Sequence, residues 1–353
     1  MHPVTLHPAT IATTPPADLL DLIITQEIAH PETGRNAFHK GHRLTADDLP
    51  LLAQIPQEIH TVRLEASDVH EDLAARRLAE LIRGDGLMQR DPVQSRVNIV
   101  ATRKGLLRVD ADAVIAINRP VGIGIFTALD RLPVLPGKIV AGAKIAPVAI
   151  PDDVLRDIAA YLANRPGPML TVKPFLPFVT GVIVTEGVSE KVRDRFEQAV
   201  RRKIGWYGAS VLRFAHVANT ARAVADAAAS LLADGATLLL TAGGNMMDPL
   251  DASLQALSSF DAELTRLGAP AHPGSMFWLG YTNADQIPVV NLASCSMYSK
   301  STVADLVLPW VMAGETVTSD DLASLGYGGL LDRDMSWRFP QYDADAVDEP
   351  DET

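Results

Sequence analysis

The residues whose types and spacing point to chemistry lie in TAGGNMMDPLD, residues 241–251. Gly243 and Gly244 let the backbone turn sharply and leave amides uncovered. Thr241 and Asn245 flank them with a hydroxyl and a side-chain amide. Asp248 precedes Pro249, the order of an N-cap and a first helical position. Asp251 stands three residues after that cap, as in a capping box. A strand, a glycine turn and a helix start together make a place where an anion or polar ligand approaches free N–H groups. The same turn also occurs in α/β proteins with no ligand, and Asp248 is expected as a structural cap first.

A second group crowds the start of the last long helix: Ser294, Ser296, Ser299, Lys300 and Ser301. Hydroxyls and a lysine at a helix N-terminus suit a phosphate, although one capping serine among solvated neighbours has the same pattern. Cys295 reads equally as a small packed residue or a reactive thiol. Five histidines fall between His30 and His70, but only His39 and His42 are close, and neither shows a metal-ligand spacing. Gly122-Ile123-Gly124 lacks the third glycine of a dinucleotide fingerprint. Lys144, alone among apolar residues, is expected to reach solvent or to meet an anion. His216 and His272 have no sequence-visible partners for a Ser–His–Asp arrangement.

The elements that must position these residues follow from periodicity and caps. The first 16 residues are expected to be extended, and 19–28 reads as a strand or a short helix. Thr45 with Asp48 three residues on opens a helix, and 58–65 alternates as a strand. Ser67 or Asp68 caps a helix whose buried stripe is Val69, Leu73, Leu78, Leu81 and Ile82, stopped at Gly84. Residues 97–148 read as strands throughout, VIAIN (114–118) among them. A helix at 152–162 precedes the linker NRPGPMLTVKPFLPF.

Beyond the linker, strands at GVIVTEG, SVLRFAHV, 237–240, MFWLGYT and IPVVNLA alternate with helices. These open at Ser189, running to Arg201-Arg202-Lys203, then at Thr220, at Asp248 and at about Thr302. The order predicts an α/β fold, a three-layer α/β/α domain on a mostly parallel sheet, preceded by a mixed, β-rich N-terminal region. Ligands in such sheets bind at the carboxyl ends of the strands.

Composition sets the outer bounds. The chain has 353 residues, 47% of them hydrophobic and 21% charged, as in a soluble globular protein. A net charge of -12 argues against general nucleic-acid binding. Part of that charge is local: QYDADAVDEPDET holds six acids and no base, and 340–353 is expected to be a disordered acidic tail. One cysteine excludes an intrachain disulfide and fits a reducing compartment. With no signal peptide and no transmembrane run, a cytoplasmic protein away from membranes is expected.

The loops TAGGNMMDPLD, PAHPGS (270–275) and LASCSMYSKS (292–301) resemble, in order and spacing, the molybdopterin-binding domain shared by molybdopterin adenylyltransferases and molybdopterin molybdotransferases. Gly243, Gly244 and Asp251 match its first loop, Pro273-Gly274 its second, and residues 292–296 stand in the place of its third. GHRLTADDLPLLAQI, VRLEASDVHEDLAARRLA and VMAGETVTSDDLASLGYGGLL also resemble molybdotransferase-like proteins. The resemblance implies an N-terminal molybdotransferase-like region at 1–168 and a molybdopterin-binding domain at 172–331.

It further implies molybdopterin as ligand, with Mg²⁺ and ATP as further ligands of the enzymes. Asp251 would then be the catalytic and metal-holding acid; its other use is as the partner of a helix cap. Met246 and Met247 would lie under the flat pterin or fill the loop. The implied activity is adenylyl or molybdate transfer in a homo-oligomer, dimer or trimer. The alternative is a non-catalytic carrier that delivers the cofactor to a molybdoenzyme or a cofactor-maturation partner. The chain departs from the family pattern at Asn245-Met246-Met247, at Val217-Ala218-Asn219-Thr220, where the family often has acids, and at Ala293-Ser294, where it has Pro-Gly.

Overall fold

In the computed structural model the described residues are all of 1–353 except 186, 188, 244–247, 293–300 and 344–353, together with the side chain of Arg333. The chain divides into two units. Unit 1 comprises Met1–Arg103, Leu107–Asp130 and Leu135–Val172; unit 2 comprises Lys104–Leu106, Arg131–Val134 and Lys173–Thr353.

Unit 1 is built on small antiparallel sheets. Strands β1 (His2–Leu6), β2 (Ile23–Ile24) and β3 (Ile59–Arg63) form one, in the order β1-β3-β2. The expected capping box is present: Thr45 and Asp48 bond reciprocally ahead of a short helix at Leu49–Leu52. Strand β4 (Asp68–His70) takes residues expected at a helix start, because they pair with a strand at Ala149–Pro151. Helix α1 (Glu71–Ile82) therefore begins later, with His70 as N-cap. Its buried stripe is Ala74, Ala75, Leu78, Ala79 and Ile82, while Leu73 is 53% exposed.

A four-stranded sheet joins β5 (Leu87–Gln89), β6 (Arg96–Ala101), β7 (Ile123–Thr127) and β8 (Ile139–Ile145) in the order β7-β8-β6-β5. VIAIN is not a strand but lies in helix α2 (Ala111–Ile117) and its C-cap Asn118. Asp110 caps that helix by accepting from the Ala113 amide at 3.0 Å. The Asn118 side chain then bonds both backbone groups of Ile125, at 2.7 and 2.8 Å, which fixes the helix end against β7. Helix α3 (Asp152–Ala163) follows as expected, and the proline-rich linker carries a strand at Leu170–Pro174. Lys144 is exposed.

Unit 2 is a six-stranded sheet with helices between its strands. Its elements are β10 (Val179–Val184), α4 (Glu190–Trp206), β11 (Ser210–His216), α5 (Ala221–Ala233), β12 (Leu238–Ala242), α6 (Ala252–Ala256), β13 (Ala262–Leu267), β14 (Trp278–Thr282), β15 (Pro288–Leu292), α7 (Val303–Met312) and α8 (Ser319–Ser324), with β9 reserved for Ala149–Pro151 of unit 1. The strand order is β11-β10-β12-β15-β14-β13. Pairs β10–β11, β10–β12 and β12–β15 are parallel; β15–β14 and β14–β13 are antiparallel. Strand β13 is an element beyond those the sequence pattern predicts.

Side-chain alternation along β12 separates two faces. Leu239 packs with Val224, Ala228 and Leu231 of α5 and with Ala252 and Ala256 of α6. Leu240 instead lines a small cavity with Val200 and Ile204 of α4 and Leu308 of α7. Helix α4 runs three residues past the expected basic stop, and Lys203 is buried on it. Tyr342, within the stretch read as an acidic tail, is buried as well.

Candidate functional site

Four parallel strands of unit 2 end in one row. Val184 is the register partner of both His216 and Ala242, and Ala242 of Leu292. A helix follows each strand in the chain, with N-caps Ser189, Thr220, Asp251 and Thr302 for α4, α5, α6 and α7. Helix starts gathered at one edge carry partial positive charge, which favours an anion there. Antiparallel β14 enters the sheet at this same edge, since Leu279 pairs with Val290 near the end of β15.

Thr241 is buried at the end of β12, and its Oγ1 accepts a 3.1 Å bond from Asn291 Nδ2. Asn291 is fully buried, and its Oδ1 has no hydrogen-bond partner among the described residues. Sequence reading missed this residue; the signal available was one amide in the otherwise apolar strand VVNL. Gly243 turns the chain at a φ of 102°. Gly244 and Asn245, with Met246 and Met247, lie outside the described residues.

The helix expected to start at Asp248 starts one turn later. Asp248 Oδ1 accepts from the Leu250 amide at 2.9 Å, and its carbonyl accepts from the Asp251 amide at 2.8 Å, so residues 248–251 close a turn of their own. Asp251 is the actual cap: its Oδ1 accepts from Ser253 at 2.9 Å and from Leu254 at 3.4 Å. Asp251 is also 5% exposed. Among the described residues no group of three or more His, Cys, Asp or Glu side chains could hold a metal ion.

Pro273 and Gly274 lie between β13 and β14 and pack on the start of α7. The Pro273 carbonyl accepts the Val303 amide at 3.1 Å. Gly274 has a φ of 103°, and a Cβ on it would stand 2.9 Å from the Val303 nitrogen. The second loop is therefore in contact with the start of α7, and glycine is what allows the approach. Ser294, Ser296, Ser299 and Lys300, like Cys295, lie outside the described residues.

Immediately after them, Thr302 and Asp305 form a buried capping box. Asp305 Oδ1 also receives Lys203 Nζ at 2.7 Å and the Tyr342 hydroxyl at 2.9 Å. Burial pushes the Tyr342 hydroxyl well above the usual phenol range, and the Asp305 charge pushes it the same way. It therefore stays protonated and donates. His216, at the end of β11, lies 2.8 Å from Glu197 Oε1 on α4. The histidines of unit 1 are engaged locally: His39 with Glu27, His42 with Asp48, and His70 with the Gly41 carbonyl.

Unit 2 is thus an α/β domain on an open mixed sheet, with the carboxyl ends of its four parallel strands in one row. No family model matches the chain, and no curated protein matches it. Among solved structures, a chain from Corynebacterium diphtheriae described as a molybdenum cofactor biosynthesis protein aligns with 44% of this chain and 99% of its own, at 16% identity and a TM-score of 0.28. A likeness at that level carries no argument about fold or function. Among the described residues, no helix is long and apolar enough to cross a membrane.

Proposed function

We propose that the carboxyl edge of unit 2 binds molybdopterin, held by its terminal phosphate, within molybdenum cofactor biosynthesis. The observation that carries this reading is the contact of Pro273-Gly274 with Val303, on the edge where Ala242-Gly243 leaves β12. The second motif loop thereby packs on the helix that follows the third, and helix starts at that edge suit a phosphate. Two outcomes follow for the bound pterin: transfer of an adenylyl group or molybdate to it, or delivery unchanged to a partner protein. The use of Asp251 as a helix cap, 5% exposed, favours delivery.

The test is pterin analysis of protein purified from a cofactor-producing host, followed by titration of the stripped protein with molybdopterin. A co-purifying pterin and saturable rebinding are expected. No pterin and no saturable binding would reject the reading. Formation of adenylylated or molybdenum-loaded product by the pure protein would replace delivery with transfer.

A further inference from the structure

Away from the row of strand ends at Ala242 and Leu292, unit 2 holds a cavity of about 330 Å³. Its walls are β13, β14, the turn from β14 to β15, and residues 316–319 at the start of α8. Tyr281 pairs with Pro288, the first residue of β15, so the cavity stands at the amino end of that strand. Its volume is that of a small-molecule pocket, for which the lower end is about 300 Å³.

Glu263 of β13 and Tyr281 of β14 are register partners, which puts their side chains on one face of the sheet. The Tyr281 hydroxyl accepts the Val317 amide at 2.9 Å and so fastens the 316–319 segment over that face. Burial pushes the Tyr281 pKa up, which keeps the phenol protonated. In the turn, both side-chain amides have their N–H groups engaged. Asn283 Nδ2 donates to Asp261 Oδ1 at 2.7 Å, and Gln286 Nε2 to the Thr282 and Asn283 carbonyls at 3.0 and 3.2 Å. Their Oδ1 and Oε1 atoms accept from no other described residue. The Glu263 carboxylate likewise has no hydrogen bond or ion pair among the described residues. Arg266, three residues on, is turned instead to the Gly268 carbonyl and to Ser319 Oγ.

We propose that this cavity binds a small organic cation through its N–H groups, an ammonium or a guanidinium. Glu263 is the counter-ion, and the Asn283 and Gln286 oxygens are further acceptors. The reason is an excess of acceptors: one carboxylate and two amide oxygens, with the amide donors already engaged. A cation with several N–H donors satisfies all three, and its bonds to the carboxylate are charge-assisted. A quaternary ammonium brings the charge without the donors and is the poorer ligand. The chain's net charge of -12 also draws a cation and repels an anion. The proposal stands independently of the ligand bound at the carboxyl edge.

Calorimetric titration of the full chain with agmatine, which carries a guanidinium and a primary amine, tests it. Saturable binding at one site is expected. Glu263→Gln should weaken it about tenfold, the worth of a hydrogen-bonded charge. Thr316→Trp, which puts a large side chain at the cavity wall, should abolish it. Glu263 and Thr316 are both exposed, so neither change disturbs the core. Asp157→Asn, at an exposed acid of unit 1, should leave the affinity unchanged. Choline, a cation without N–H donors, should bind more weakly than agmatine. No saturable binding, equal weakening by Asp157→Asn, full affinity in Glu263→Gln or in Thr316→Trp, or choline bound as tightly as agmatine would each overturn the proposal.

Discussion

Lys203 of α4 and Asp305 of α7 form an ion pair at 2.7 Å, with side chains 11% and 1% exposed. The carboxylate also closes the Thr302 cap and receives Tyr342, so one acid ties two helices and the chain's last described segment together. Removing the lysine strands a buried negative charge. Lys203→Met should therefore destabilise unit 2 by about 3–5 kcal/mol, read from urea denaturation. An unchanged midpoint would mean that Asp305 is sufficiently satisfied without its cation.

Asp251 distinguishes a cap from a metal ligand. Asn retains an acceptor oxygen for the Ser253 and Leu254 amides, whereas Ala does not. Asp251→Asn should cost little stability and Asp251→Ala about 1 kcal/mol. Equal losses for both would show that the charge, not the cap, stabilises the site. Loss of Mg²⁺-dependent turnover in Asp251→Asn would restore the metal role.

Gly274→Ala meets two obstacles, a φ of 103° and a Cβ only 2.9 Å from the Val303 nitrogen. The left-handed backbone alone costs a non-glycine residue about 1–2 kcal/mol. The contact should also displace the start of α7, so molybdopterin affinity should fall with stability. Denaturation and titration of the same variant check both, and wild-type values in each would remove Gly274 from the site.

Folding holds two carboxyls, Asp110 and Asp321, below their ordinary pKa range. At Asp110, burial raises the carboxyl pKa, but the Ala113 amide and Arg165 outweigh it and the net shift is downward. At Asp321, burial again raises it, while the Thr318 amide and hydroxyl and Arg131 hold it low. A carboxyl lowered on folding contributes stability above its unfolded pKa, about 3.9, and loses it as pH falls through the folded value. The stability gap between wild type and Asp110→Asn should therefore be full at pH 6 and shrink below about pH 4. A gap independent of pH would assign the loss to hydrogen-bond geometry.

Local chemistry was legible in the sequence. Thr45, Ser189, Thr220 and Thr302 stand at their predicted caps, because a cap or capping box is decided within four residues of chain. The strands from Val179 to Ala242 were legible for a similar reason: apolar runs bounded by turns need no distant partner to be recognised. The meeting of Pro273-Gly274 with Val303 was not, since contact order along a strand-helix chain leaves the packing of successive loops open.

Tertiary structure decided the rest where local signals competed. VIAIN has the branched residues of a strand, yet Asp110 and Asn118 hold it as a helix against Ile125. Lys203 reads as a helix-end charge, and Tyr342 as part of a solvated tail, until both meet Asp305, 102 and 37 residues away. A lysine or a tyrosine can be buried only where a distant partner satisfies its polar end, and that partner is supplied by the fold.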